Sequence, residues 1–175
     1  LAIQSDAEAG YLVRDRFTRH FGVWREGDGG ATAIFDPLDA KGTLLPAAGD
    51  PPLLVTRRYH PTHNVGHFRF LECSHQSADG RPAGDITHWD EIRFPFVAPL
   101  AALESLAQVE VVRDHEAPLQ EIEESYAVDA GGRVLVRLVN RTVGYQREYR
   151  LGQWGEGGEA LRPGLRRKRT AKASR

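Results

Sequence analysis

Apolar and polar positions alternate on both sides of Asp129-Ala130-Gly131-Gly132, through Tyr126-Ala127-Val128 before it and Val134-Leu135-Val136-Arg137-Leu138-Val139-Asn140 after it. Alternation places every second side chain on one face of a strand, and the glycines supply the positive φ angles of a tight reversal. The stretch therefore predicts a β-hairpin. The same period recurs along the chain. His20 to Glu26 reads as a strand with Phe21 and Val23 on one face and Trp24 on the other; Ala31 to Phe35 returns as a second. Asp36 to Pro46 reads as a loop. Leu53 to Tyr59 is a third strand, Pro61 to Gly66 a turn, and His67 to His75 a fourth strand with Phe68 and Phe70 sharing a face. A fifth is centred on Ile92-Arg93-Phe94 and stopped by Pro95. Ala98 to Ala107 is the best helix candidate. Val109 to Val112 and Leu119 to Val128 complete the strands before the hairpin, and Tyr145 to Leu151 follows it. Strands punctuated this often by Gly/Pro turns predict an all-β fold, an antiparallel sandwich of about eight strands with at most one short helix.

Length and charge divide the chain. Its 175 residues suit one domain with tails. Residues 1–19 read as a lead-in, 20–154 as the β-sandwich and 155–175 as a Gly-rich exit with a basic tail. The tail from 161 onward carries seven Lys/Arg and no acid, so the net charge of −1 hides a body of −8. An acidic body argues against a nucleic-acid surface, which needs clustered cations. A single cysteine, Cys73, excludes an internal disulfide and fits a reducing, cytoplasmic setting. No apolar run reaches the roughly 20 residues of a membrane-spanning helix, and the N-terminal residues lack the pattern of a signal peptide. With no Met anywhere, the chain reads as a piece of a longer protein.

Candidate chemistry is sparse. His60, His63, His67, Cys73 and His75 fall within 16 residues and are potential zinc or copper ligands. A cupin-like metal enzyme would use His63, His67 and Glu72, but a turn separates the two histidines, and exposed imidazoles on strand ends are the simpler reading. Asp85, Asp90 and Glu91 lie near His88 and Trp89, with nothing to fix a catalytic separation. Glu121, Glu123 and Glu124 read as a solvated strand face, and Cys73 as a buried structural thiol. No phosphate-binding Gly loop or Gly-x-Ser-x-Gly elbow is present. The reading is of a domain that binds and does no chemistry, with no cofactor or metal of its own. Phe68, Phe70 and Tyr59 are then either core or the lining of an apolar groove.

Taken in order, these segments resemble the substrate-binding β-domain of DnaK-type, seventy-kilodalton heat-shock chaperones. The resemblance runs through Phe21-Gly22-Val23, the glycines at 27–30, Thr43-Leu44-Leu45-Pro46, Val55 to Tyr59, His63-Asn64-Val65, Phe68-Arg69-Phe70, Gly84-Asp85-Ile86 through Pro95, and Tyr126 to Val136, closing with Val143-Gly144-Tyr145 and Glu148 to Leu151. It covers residues 20–152; each motif is weak alone, and their shared order carries the weight. The resemblance implies that an extended apolar segment of an unfolded polypeptide threads between loops above the sandwich. ATP hydrolysis would belong to a separate actin-like ATPase domain of the same protein. Carried over, Val23 would floor the pocket, Phe68 and Phe70 would wall it, and Tyr59 would stand at the rim. Arg25 and Glu26 fall on one half of an arch over the peptide, and Pro61 and Thr62 near the other. The chain departs from the family in the charges at Arg25 and Glu26, in the segment Ser77–Thr87, in the long link after Val97, and in the lack of a helical lid. On this basis Val23→Asp or Phe70→Asp is expected to abolish binding of an unfolded client while the sandwich stays folded.

Overall fold

Eight strands form two four-stranded antiparallel sheets in a computed structural model that describes residues 15–27 and 32–152. The strands are β1 (His20–Gly27), β2 (Thr32–Asp39), β3 (Leu53–Tyr59), β4 (Val65–Gln76), β5 (Pro82–Pro95), β6 (Ile122–Val128), β7 (Val134–Asn140) and β8 (Tyr145–Arg150). One sheet runs β2-β1-β4-β5 and the other β3-β6-β7-β8. The chain therefore crosses between layers at β2–β3, β3–β4 and β5–β6, and ends as the meander β6-β7-β8. The basic tail, most of the lead-in and the residues between β1 and β2 lie outside the described residues.

The alternation that marked the strands in the sequence is the alternation of burial. In β6, Ile122, Glu124, Tyr126 and Val128 point inward; in β7, Val134, Val136, Leu138 and Asn140 do. They face Phe21 and Val23 of β1, Phe68 and Phe70 of β4, and Ile92 and Phe94 of β5 in one hydrophobic core. The hairpin turn is held by Asp129, whose Oδ1 accepts hydrogen bonds from the backbone of Gly131 (2.9 Å) and Arg133 (3.0 Å), while Gly132 takes φ 73°. A smaller cluster of Phe35, Leu71 and Cys73, flanked by Trp24, packs apart from this core, and Cys73 is fully buried there.

Five expectations need correction. β2 continues through Asp36-Pro37-Leu38-Asp39 instead of ending at Phe35, because an edge strand tolerates a proline that has no N–H to contribute. β5 is 14 residues long, so the segment around Ser77 to Thr87 is largely the far end of the β4–β5 hairpin. That hairpin absorbs two register shifts, at Phe70/Leu71 and Cys73/His75. The expected helix shrinks to one turn, Ala98–Ala101, with Pro99 in its first turn and no side-chain cap. Val109 to Val112 forms no strand. Its backbone is pinned instead by Asn64, which bonds the Val112 N–H and the Glu110 carbonyl, and by Arg93, which donates to the Val109 carbonyl. The lead-in also joins the domain at its end, since Phe17 is buried in the main core.

Candidate functional site

The alternation that buries Phe21 and Val23 carries Arg25 inward as well, and the one that buries Ile122 and Tyr126 carries Glu124 inward. The two side chains meet between the sheets. Arg25 donates to both oxygens of Glu124, Nη1 to Oε1 at 3.0 Å and Nη2 to Oε2 at 2.7 Å. Glu124 is wholly buried and the Arg25 side chain is 17% exposed. Tyr126 donates its hydroxyl to Glu124 Oε2 at 2.6 Å, and Tyr59 donates to Oε1. Behind Arg25, Asp36 of β2 accepts from Arg25 Nε at 2.5 Å and from Arg57 at 3.2 Å. Two guanidinium groups and two carboxylates thus balance, and bidentate geometry makes the Arg25–Glu124 contact a strong one. Glu124 is not on a solvated face; Glu121 is the most exposed member of that acidic run, and Glu123 lies between them in exposure, bridged to Arg58 and Arg141.

Charge and burial oppose each other at Arg25 and Asp36 and act together at the tyrosines. Burial works against the Arg25 charge, but Glu124, helped by Tyr126 and Asp36, outweighs it and holds the guanidinium pKa above its ordinary value. Burial likewise pulls Asp36 upward, and the hydrogen bonds from Arg57 and Arg25 reverse this, leaving its carboxyl below the usual range. Tyr59 and Tyr126 are pushed well up, first by burial and then by the Glu124 carboxylate. Burial also lifts Tyr145 to about 12 and raises Tyr149. A group whose pKa is higher in the folded than in the unfolded chain contributes stability that is complete below the unfolded value and lost as pH rises through the folded one. The tyrosine contribution is therefore expected to hold to about pH 10 and to fall above it. Urea midpoints between pH 8 and 12 check this; a folded protein whose tyrosines all titrate near their ordinary value would contradict it.

Next to this network an open cavity of about 150 Å³ lies at one end of the sandwich. Tyr59 closes β3, His60, Pro61 and Thr62 form the loop to β4, Gly66, His67 and Phe68 open β4, and Phe96 follows β5; Trp24 and Arg25 of β1 complete the lining. Three rings make its apolar wall. Phe96 stands edge-on to Tyr59 (centroids 6.1 Å, 85°) and to Phe68 (6.2 Å, 83°), and the Arg25 guanidinium lies 6.0 Å from the Tyr59 centroid. Gly66 is required for this packing: a Cβ there would come within 2.3 Å of Phe96 and 2.6 Å of Phe68. The Tyr59 ring is fixed at both ends, by Phe96 and by its hydroxyl on Glu124.

The expected groove residues therefore separate into two groups. Arg25, Tyr59 and Phe68 line the cavity, together with Pro61 and Thr62. Val23 and Phe70 do not: both are fully buried, with Phe70 stacked on Phe21 (6.1 Å, 10°) and edge-on to Tyr126 (6.1 Å, 69°). A slot floored by Val23 and walled by Phe70 is not formed, because their alternation points them at the opposite sheet. Glu26 has its backbone in β1, and its side chain lies outside the described residues. Arg25 is turned into the interior rather than held above a bound chain. Phe96 was missed by the sequence reading; its one local signal is its place in the apolar run Phe94 to Val97.

The residues of the metal-enzyme alternative do not form a three-ligand group. His67 Nε2 sits 2.5 Å from Glu91, His63 bridges to Arg113 beside Thr62, and among the described residues no three His, Cys, Asp or Glu side chains converge as metal ligands. Asp90 is buried and accepts from Gly152 N–H at 3.2 Å, while Asp85 is exposed on its strand. Among the described residues no helix is long and apolar enough to cross a membrane. No protein-family model matches the chain, and no curated protein is significantly similar to it.

Proposed function

We propose that this domain binds extended apolar segments of unfolded polypeptides, in the manner of the DnaK-type substrate-binding domain that its motif order resembles. One apolar side chain of the bound segment enters the cavity between Tyr59, Phe68 and Phe96. The observation that carries this reading is the cavity's position and size. Pro61 and Thr62, where the resemblance puts part of the arch over the client, are among its lining, and its volume of about 150 Å³ matches apolar cavities that take a single benzene-sized group. A site of that size reads one side chain, leaving the rest of the segment to bond through its backbone. The role is binding alone; ATP hydrolysis belongs to a separate actin-like domain of the same protein. Compared with the expectation from sequence, the pocket lies nearer the β3–β4 loop.

The test fills the mouth without touching the core. Thr62 is half-buried on a loop, so Thr62→Trp is expected to leave the fold intact and to abolish binding of a fluorescein-labelled apolar peptide by anisotropy. Wild-type protein with no saturable binding of any apolar peptide, or equal affinity in the filled variant, would overturn the proposal.

A further inference from the structure

The cavity contains rings where an unselective apolar pocket would contain branched aliphatics. Tyr59, Phe68 and Phe96 wall it, Trp24, His60 and His67 are the other ring-bearing residues of its lining, and the lining includes no leucine, isoleucine, valine or methionine. We infer that the site selects aromatic side chains, phenylalanine above all, over leucine or isoleucine. This rests on the peptide-binding reading above and names its substrate class.

The physical argument has three parts. Aromatic rings attract one another beyond the area they bury, because the electron-poor edge of one meets the electron-rich face of another. Phe96 meets Tyr59 and Phe68 edge-on, so an entering ring meets an aromatic wall in place of an aliphatic one. The walls are also fixed in advance. Gly66 lets Phe68 and Phe96 close over bare backbone, and the Glu124 carboxylate holds the Tyr59 hydroxyl while Arg25 lies over the Tyr59 ring. A preorganised cavity of this kind rewards a planar guest, because walls already in place lose no freedom when it enters. Finally, a volume of about 150 Å³ accepts one phenyl group, whereas an indole would need the walls to move.

The experiment uses the full chain and three labelled peptides identical except for a central Phe, Leu or Ala among polar neighbours. The Phe peptide is expected to bind about three- to tenfold more tightly than the Leu peptide, the increment that ring–ring contacts add to simple burial, with the Ala peptide weakest. Leu as tight as Phe, with Ala weak, would overturn the aromatic preference and leave peptide binding standing. Three equal affinities, or none measurable, would overturn both. Phe96→Leu offers a second reading. With a cooperative thermal transition retained, the Phe-to-Leu affinity ratio is expected to fall towards one; an unchanged ratio would remove the rings from the explanation.

Discussion

Glu124→Ala is expected to lower the unfolding free energy by about 3–5 kcal/mol, the cost of removing one partner from a buried ion pair. Few single changes in this protein should cost more. Glu124 is completely buried and accepts from Arg25 twice, from Tyr59 and from Tyr126. Truncation leaves a guanidinium between two sheets with only Asp36 to offset it, and Asp36 is already shared with Arg57. Two tyrosine hydroxyls lose their acceptor in the same step. Removing both charges should be less costly: Arg25→Met with Glu124→Leu is expected to recover the part of the loss that belongs to the stranded guanidinium, since apolar residues of similar volume commonly replace buried pairs, while the two tyrosine hydroxyls remain without their acceptor. Urea unfolding followed by tryptophan fluorescence measures both variants. A loss for Glu124→Ala of under about 1 kcal/mol would match a solvated surface pair and contradict the burial described here.

Phe70→Asp is expected to leave no folded protein, in place of the folded, binding-deficient variant that the sequence resemblance suggested. Phe70 has no exposed surface and is in ring contact with Phe21 and Tyr126 across the core. Loss of a buried phenylalanine ring alone costs about 3–5 kcal/mol, and a carboxylate placed in the vacated space adds its own desolvation. The sum rivals the whole stability of a domain of this size, about 5–15 kcal/mol. Far-UV circular dichroism and soluble yield read the outcome. A soluble variant with a cooperative melt and lost peptide affinity would contradict the placement of Phe70 in the core and restore the original groove.

The layered sandwich was legible because its main signal is local: period-two alternation marks β1, β3, β6 and β7 without reference to any partner. The same alternation also held information that residue chemistry hid. Arg25 shares the parity of Phe21 and Val23, and Glu124 that of Ile122, Tyr126 and Val128. Read by parity, both charges go inside, and a buried cation needs a buried anion; read by residue type, both were assigned to the surface. The failures were of another kind. Val109 to Val112 has the composition of a strand, yet β propensity becomes structure only where a free edge accepts it, and Asn64 takes its backbone instead. The helix after Val97 has a proline in its first turn but no cap to sustain it. Of the cavity, Tyr59, Phe68 and Arg25 were visible as candidates. Phe96 was not, because its contact with Tyr59 spans 37 positions of chain and depends on how the two layers stack.

The central claim is that the ring-walled cavity beside Pro61 and Thr62 is where a polypeptide segment binds. The most direct measurement repeats the peptide titration with ¹⁵N-labelled protein and maps the amide shifts. Saturable shifts concentrated at Tyr59 to Thr62 and Gly66 to Phe68, absent in Thr62→Trp, are the expected result. Shifts confined to other parts of the sandwich, or none while the peptide is bound, would contradict it.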